Sequence, residues 1–112
     1  MPHFLIEGSY SAEGLRGLSK DKASGREAAI RATLSKLGGK LISIHYALGE
    51  GDVYVLCECP DHVSAAALSL AASSSGLVRT KTTSLLTVEE TDRALAMQAG
   101  YRAPGAGGAA KA

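Results

Sequence analysis

The chain has 112 residues, 46% of them hydrophobic, with 12 Lys and Arg against 11 Asp and Glu and no Trp. That length suits a single domain with one modest core. A formal charge of +1 gives no electrostatic support for nucleic acid or an anionic membrane as a general partner. The opening MPHFLIEGSY has no basic region followed by a long apolar run, so a secretion signal is not expected. No apolar stretch approaches the ~20 residues needed to span a bilayer. Cys57 and Cys59 fall within an expected core strand and suit a reducing compartment, so the expected location is cytoplasmic.

His3 to Tyr10 alternates as a first strand, with Phe4, Ile6 and Tyr10 on one face and His3, Leu5, Glu7 and Ser9 on the other. Ser11 can cap a short helical turn through Leu18, which Gly14 and Gly17 weaken by about 1 kcal/mol each relative to Ala. A stronger helix follows. Ser24-x-x-Glu27 has capping-box spacing, and Ile30, Leu34 and Leu37 form one apolar stripe. Gly38-Gly39 supplies a left-handed stop. The Lys and Arg residues along this region read as a solvated outer face.

Leu41 to Pro60 reads as two strands folded back at Gly49-Glu50-Gly51-Asp52. A loop over those residues places Leu48 opposite Val53. One face then carries Ile42, Ile44, Tyr46, Leu48, Val53, Val55, Cys57 and Cys59, the core face. The other, mixed face carries Ser43, His45, Ala47, Tyr54, Leu56 and Glu58. A slip of one residue would mix apolar and polar groups on both faces. The glycines of the turn are expected at positive φ, and Asp52 is expected to bond to the turn backbone.

Pro60-Asp61 ends the strand and caps a second helix to about Ser75, built mostly from Ala and Ser, whose small side chains allow close approach to a sheet or another subunit. Leu77 to Leu86 reads as a fourth strand, with Arg79, Lys81, Thr83 and Leu85 alternating against Val78, Thr80, Thr82, Ser84 and Leu86. Thr87-x-x-Glu90 is a further capping box, opening a third helix to about Ala99. The order predicts an α+β, ferredoxin-like βαββαβ domain over 1–102. Its four-stranded antiparallel sheet has strand order 4-1-3-2, helices on one face, and an added C-terminal helix. A disordered Gly/Ala-rich tail is expected over 103–112.

Leu48-Gly49-Glu50-Gly51-Asp52, the following VYVLCECPD, Gly76-Leu77-Val78-Arg79-Thr80 and Leu37-Gly38-Gly39-Lys40 together resemble the GYD domain family. The resemblance runs from about Phe4 to Leu95. Gly49, Gly51 and Asp52 match the family's turn motif, but Gly51 stands where the family usually has a Tyr. The resemblance implies a fold of the dimeric α/β-barrel type and a homodimer or higher oligomer; it implies no reaction and no cofactor.

In this fold the sheet face away from the helices stays bare and collects His3, Glu7, His45, Tyr54, Glu58, Arg79 and Lys81 beside Leu5, Ala47, Leu56 and Leu85. Two uses are open. Two such faces can pack together, with the acids pairing with Arg79, Lys81 or His45 across the interface. Alternatively they enclose a pocket for a small molecule, in which Glu7 and Glu58, if held close, would raise one carboxyl pKa and provide a general base. In an enzyme of that kind, cofactor-independent and of oxygenase or isomerase type on a small, partly apolar molecule, His45 would be the proton partner and Tyr54 would orient substrate. Cys57-x-Cys59 reads as buried thiols: a metal site wants four ligands, and only His62 is near. A Gly-rich phosphate loop should open a helix, whereas this turn joins two strands. A single open-face aromatic, Tyr54, is too little for base stacking, so no RNA partner is expected.

Overall fold

The computed structural model describes residues 1–106. In chain order it holds β1 (His3–Tyr10), α1 (Ala12–Lys36), β2 (Lys40–Tyr46), β3 (Val53–Glu58), α2 (His62–Ser74), β4 (Val78–Leu85) and α3 (Val88–Ala96). The strands form one four-stranded sheet in the order β2-β3-β1-β4, and every neighbouring pair is antiparallel. The expected α+β, ferredoxin-like architecture with its extra C-terminal helix is therefore present. Phe4, Ile6, Leu34, Leu41, Val53, Val55, Cys57, Cys59 and Ala65 form the core between the sheet and the helices. Burying the larger of these side chains contributes about 1.5–3 kcal/mol each.

The β2–β3 register differs from the one expected. Tyr46, not Leu48, lies opposite Val53, so the connection runs over six residues, 47–52. The cause is the grip of β1 on this loop. The Asp52 amide donates to the Gly8 carbonyl at 2.8 Å, and the Tyr10 amide donates to the Asp52 carboxylate at 2.7 Å. The Ser9 hydroxyl donates to the Glu50 carbonyl at 3.0 Å. A shift of two residues preserves the faces, because side chains alternate with a period of two. Leu48, in the lengthened loop, loses its expected core position and is fully exposed, and Tyr46 at the strand end is exposed as well.

A second correction lies at the start of β2, where the register slips between Leu41 and Ser43. This bulge turns Leu41 into the core beside Cys57 and leaves Ile42 exposed, the reverse of a regular alternation. Gly38, at φ +78°, lets the chain leave α1, and the Gly39 amide closes back on the Leu34 carbonyl at 2.8 Å.

The two expected helical segments before β2 join into α1, broken at Lys22, whose φ of 66° and ψ of 162° are non-helical. Helix resumes at Ala23, so Ser24 lies inside it rather than at a cap. The Ser11 cap does form: its hydroxyl accepts from the Gly14 amide at 3.0 Å. This end of α1 presses on the start of β4, where the Ser11 amide donates to the Leu77 carbonyl at 2.9 Å. Asp61 caps α2, and the Thr87–Glu90 capping box closes reciprocally at α3.

α3 stands clear of the body. Every residue in it except Glu90 is exposed, and the described chain extends 61 × 29 × 23 Å. The tail expected over 103–112 lies partly outside the described residues; within them, the Ala106 amide donates to the Ala103 carbonyl at 3.1 Å. Among the described residues no helix is long and apolar enough to cross a membrane.

Two predictions come from this packing. A Cβ at position 14 would sit 2.1 Å from the Leu77 carbonyl oxygen, whereas one at position 17 would meet nothing within 4 Å. Gly14→Ala should therefore lower stability by about 1–3 kcal/mol or more, while Gly17→Ala should raise it by up to about 1 kcal/mol through helix propensity. Urea unfolding midpoints of the two variants should move in opposite directions.

The second concerns alkaline pH. Burial, with Cys59 beside it, pushes the Cys57 thiol up to about 12 from an ordinary 9.0. Burial, then the Tyr10 hydroxyl, likewise push Tyr46 up to about 12. The fold holds Cys57 neutral, so its contribution is complete below the unfolded-state value and lost as pH rises through the folded one. Tyr46, 37% exposed, contributes less because solvent screens it. Thermal midpoints should fall progressively between about pH 9 and pH 12, and Cys57→Ala should flatten that fall.

Candidate functional site

The bare face of the sheet is organised in transverse rows by the strand registers. His45 faces Tyr54, Tyr54 faces Glu7, and Glu7 faces Lys81, so one row crosses all four strands. Strands spaced about 4.8 Å apart make that row roughly 14 Å long. The next row toward the other end is Ser43, Leu56, Leu5 and Thr83. Beyond it comes a second charged row of Lys40, Glu58, His3 and Leu85. An apolar centre thus separates two polar rows. Leu5, Leu56 and Leu85 are half-buried although no helix lies over them.

Glu7 is the centre of the first row, between a phenol and an ammonium group. The Tyr54 hydroxyl is raised above its ordinary value by partial burial and by the Glu7 carboxylate opposite it, and Glu50 adds to the effect. A negative neighbour opposes formation of a phenolate. Such a pair can hold a polar group of a bound molecule or pass a proton to it.

Gly51 belongs to the same arrangement. It is buried, and a Cβ there would lie 2.9 Å from the Tyr54 hydroxyl. Gly51 is not among the positive-φ residues, so turn conformation does not explain it. Its missing side chain makes room for the Tyr54 ring. Asp52 does not close the turn on itself, as expected, but ties it to β1 through the Tyr10 amide.

Glu7 and Glu58 are not held together. Glu58 lies opposite His3, which is four residues from Glu7 along β1. That separation is roughly 13 Å, too far for one carboxylate to perturb the other strongly. Glu58 is instead engaged within the chain, its Oε1 lying 3.0 Å from His3 Nε2. His45 likewise sits beside Tyr54 and not beside Glu58. Arg79 lies opposite Ser9, one step outside the first row. Lys40, left on the solvated side by the sequence reading, is brought opposite Glu58 by the bulge in β2. His3 and Glu58 could be paired in advance only by knowing how β1 and β3 align.

On the helix side the thiols are inert. Cys57 and Cys59 are free, fully buried and raised in pKa chiefly by burial.

A ferredoxin-like sheet with one bare face, bounded by a Gly-Glu-Gly-Asp turn tied to the first strand, defines the class of domain. The family model for the GYD domain matches residues 4–95, and the chain belongs to that family. No curated protein and no solved structure matches the chain.

The Tyr54–Glu7 contact has a spectroscopic test. Glu7→Gln removes the negative charge that disfavours the phenolate, so the Tyr54 titration should move down toward an ordinary tyrosine. Absorbance titration at alkaline pH, with Tyr54→Phe as the reference that identifies the Tyr54 component, should show this shift; an unmoved transition would mean that Glu7 does not govern the phenol.

Proposed function

We propose that this protein is a homo-oligomeric binding or assembly module whose bare sheet faces meet and enclose a small-molecule cavity. The observation that carries this reading is the apolar centre of Leu5 and Leu56, framed by charged rows on a face no helix covers. Apolar area of that kind is normally withdrawn from water by a partner or a ligand. A second copy brings the same charged rows, and a two-fold pairing can set acids of one copy against bases of the other. α3 supports the same reading: Val88 and Leu95 are 81% and 77% exposed, and so short a helix gains little stability without a surface to pack on. Free, buried thiols fit a cytoplasmic location.

A second reading is a cofactor-independent enzyme of oxygenase or isomerase type on a small, partly apolar molecule. The contact between Tyr54 and Glu7 favours it, because it places a carboxylate, a phenol, His45 and Lys81 in one row. In that reading Glu7 is the base, Tyr54 orients the substrate and His45 relays the proton. Glu58 drops out of the base role, since His3 engages it.

Analytical ultracentrifugation over a range of concentrations tests the assembly. The wild type should sediment as a dimer or larger species, and Leu5→Glu or Leu56→Glu should shift it to monomer with little loss of far-UV circular dichroism. A wild-type monomer at all concentrations would remove the basis of the reading. His45→Ala and Glu7→Gln should leave the assembly intact while weakening any ligand that purifies with it.

A further inference from the structure

The helix layer does not close over the sheet. α2 is held to the edge strand β4 by hydroxyl pairs, Ser69 with Thr82 and Ser73 with Thr80, the latter at 2.8 Å. α1 packs mainly along β2 at the opposite edge. The central strands β1 and β3 therefore carry a gap between the helices, a cavity of about 420 Å³ on the side opposite the bare face. Its floor is Ile6, Val53 and Val55, and Ile30 and Leu68 form its walls. Facing the gap, the helices present the small residues Gly17, Ala29, Ala71 and Ala72.

An apolar space of this size is disfavoured when left empty, because its walls lose the contacts that close packing supplies. Its mouth is open to solvent, where Asp21, Ala29, Ala71 and Ser75 are exposed, but water on the Ile6, Val53 and Val55 floor finds few polar partners. The volume lies within the ~300–1,000 Å³ of sites that take small organic molecules. The chemistry of the rim narrows the class. The charged groups lining it are Arg26 and Asp21, whose Nη1 and Oδ2 lie 3.7 Å apart, so neither sign is in excess. The Tyr10 side chain adds a hydroxyl, whereas the Thr33 and Ser75 hydroxyls already donate to the Ala29 and Ala72 carbonyls. We propose that the gap between α1 and α2 is a binding site for a neutral, largely apolar small molecule with a single polar end directed to Tyr10. This site is independent of the sheet-face assembly and lies on the other side of the sheet.

N-phenyl-1-naphthylamine, a neutral dye that fluoresces in apolar surroundings, tests the proposal on the full chain. The anionic 8-anilinonaphthalene-1-sulfonate, which has the same ring system, is the charge control. Gly17→Leu and Ala72→Leu place extra carbon in the cavity, and position 17 has open space around its Cβ. Leu56→Glu marks the opposite face. We expect saturable binding of the neutral dye at one site per chain, with the sulfonate at least about tenfold weaker. Each filling variant should weaken the neutral dye by about tenfold or more, and Leu56→Glu should leave its affinity unchanged. Melting curves establish that the variants are folded, and either filling variant suffices if the other is not. No binding, binding untouched by the filled cavity, or equal affinity for the sulfonate would overturn the proposal. Loss in Leu56→Glu alone would assign the dye to the sheet face and overturn it equally.

Discussion

The hydrogen bond from the Tyr10 amide to the Asp52 carboxylate, 2.7 Å long, is the contact on which the arrangement of this sheet depends. With the Asp52 amide on the Gly8 carbonyl, it commits the end of the β2–β3 loop to β1. A neutral hydrogen bond contributes on the order of 1 kcal/mol net, and one to a charged acceptor about twice that. Its structural effect is larger than its energy suggests. With residues 50–52 tied to β1, the β2–β3 ladder runs from Tyr46 and Val53 outward, and the Ala47 amide closes the loop on the Asp52 carbonyl at 2.9 Å. That pairing sets His45 beside Tyr54, and the neighbouring register sets Tyr54 beside Glu7.

The two faces of the sheet divide the work between packing and chemistry. The helix side holds a small core in which Leu34, Cys57 and Cys59 are completely enclosed. Hydroxyl pairs tie α2 to β4, and only Ala65 and Leu68 of this helix join the core, so it is positioned without filling the space toward α1. The bare side carries the ionisable groups, sorted into rows by strand alignment. His3 engages Glu58 within the chain, which leaves Glu7 with Tyr54 and Lys81 as the acidic centre of the face.

Much of this was legible in the residues. Alternation in β1, β3 and β4 assigns nearly every side chain to its correct face, since a two-residue shift in pairing leaves the faces unchanged. The caps at Ser11, Asp61 and Thr87 were readable because they are local, depending on a side chain and an amide two or three residues away. The turn motif was readable too, though not its role: Gly51 serves the Tyr54 ring, and Asp52 serves a strand more than forty positions earlier. Expectation failed where an irregularity entered. The bulge at Leu41–Ser43 exchanges Leu41 and Ile42, and no periodicity marks it in advance.

The order of the strands, the faces of β1, β3 and β4, the caps at Ser11, Asp61 and Thr87 and membership of the GYD domain family were determined by the sequence alone, because each rests on spacing along a few neighbouring residues. Which charged groups meet was decided only by the tertiary structure. Glu7 and Glu58 share a face, and face-sharing was all that alternation could establish. Their separation depends on the alignment of β1 with β3, which is set by contacts between residues tens of positions apart. The gap between α1 and α2 has the same origin: small residues permit it, but the hydroxyl ties from α2 to the edge strand open it.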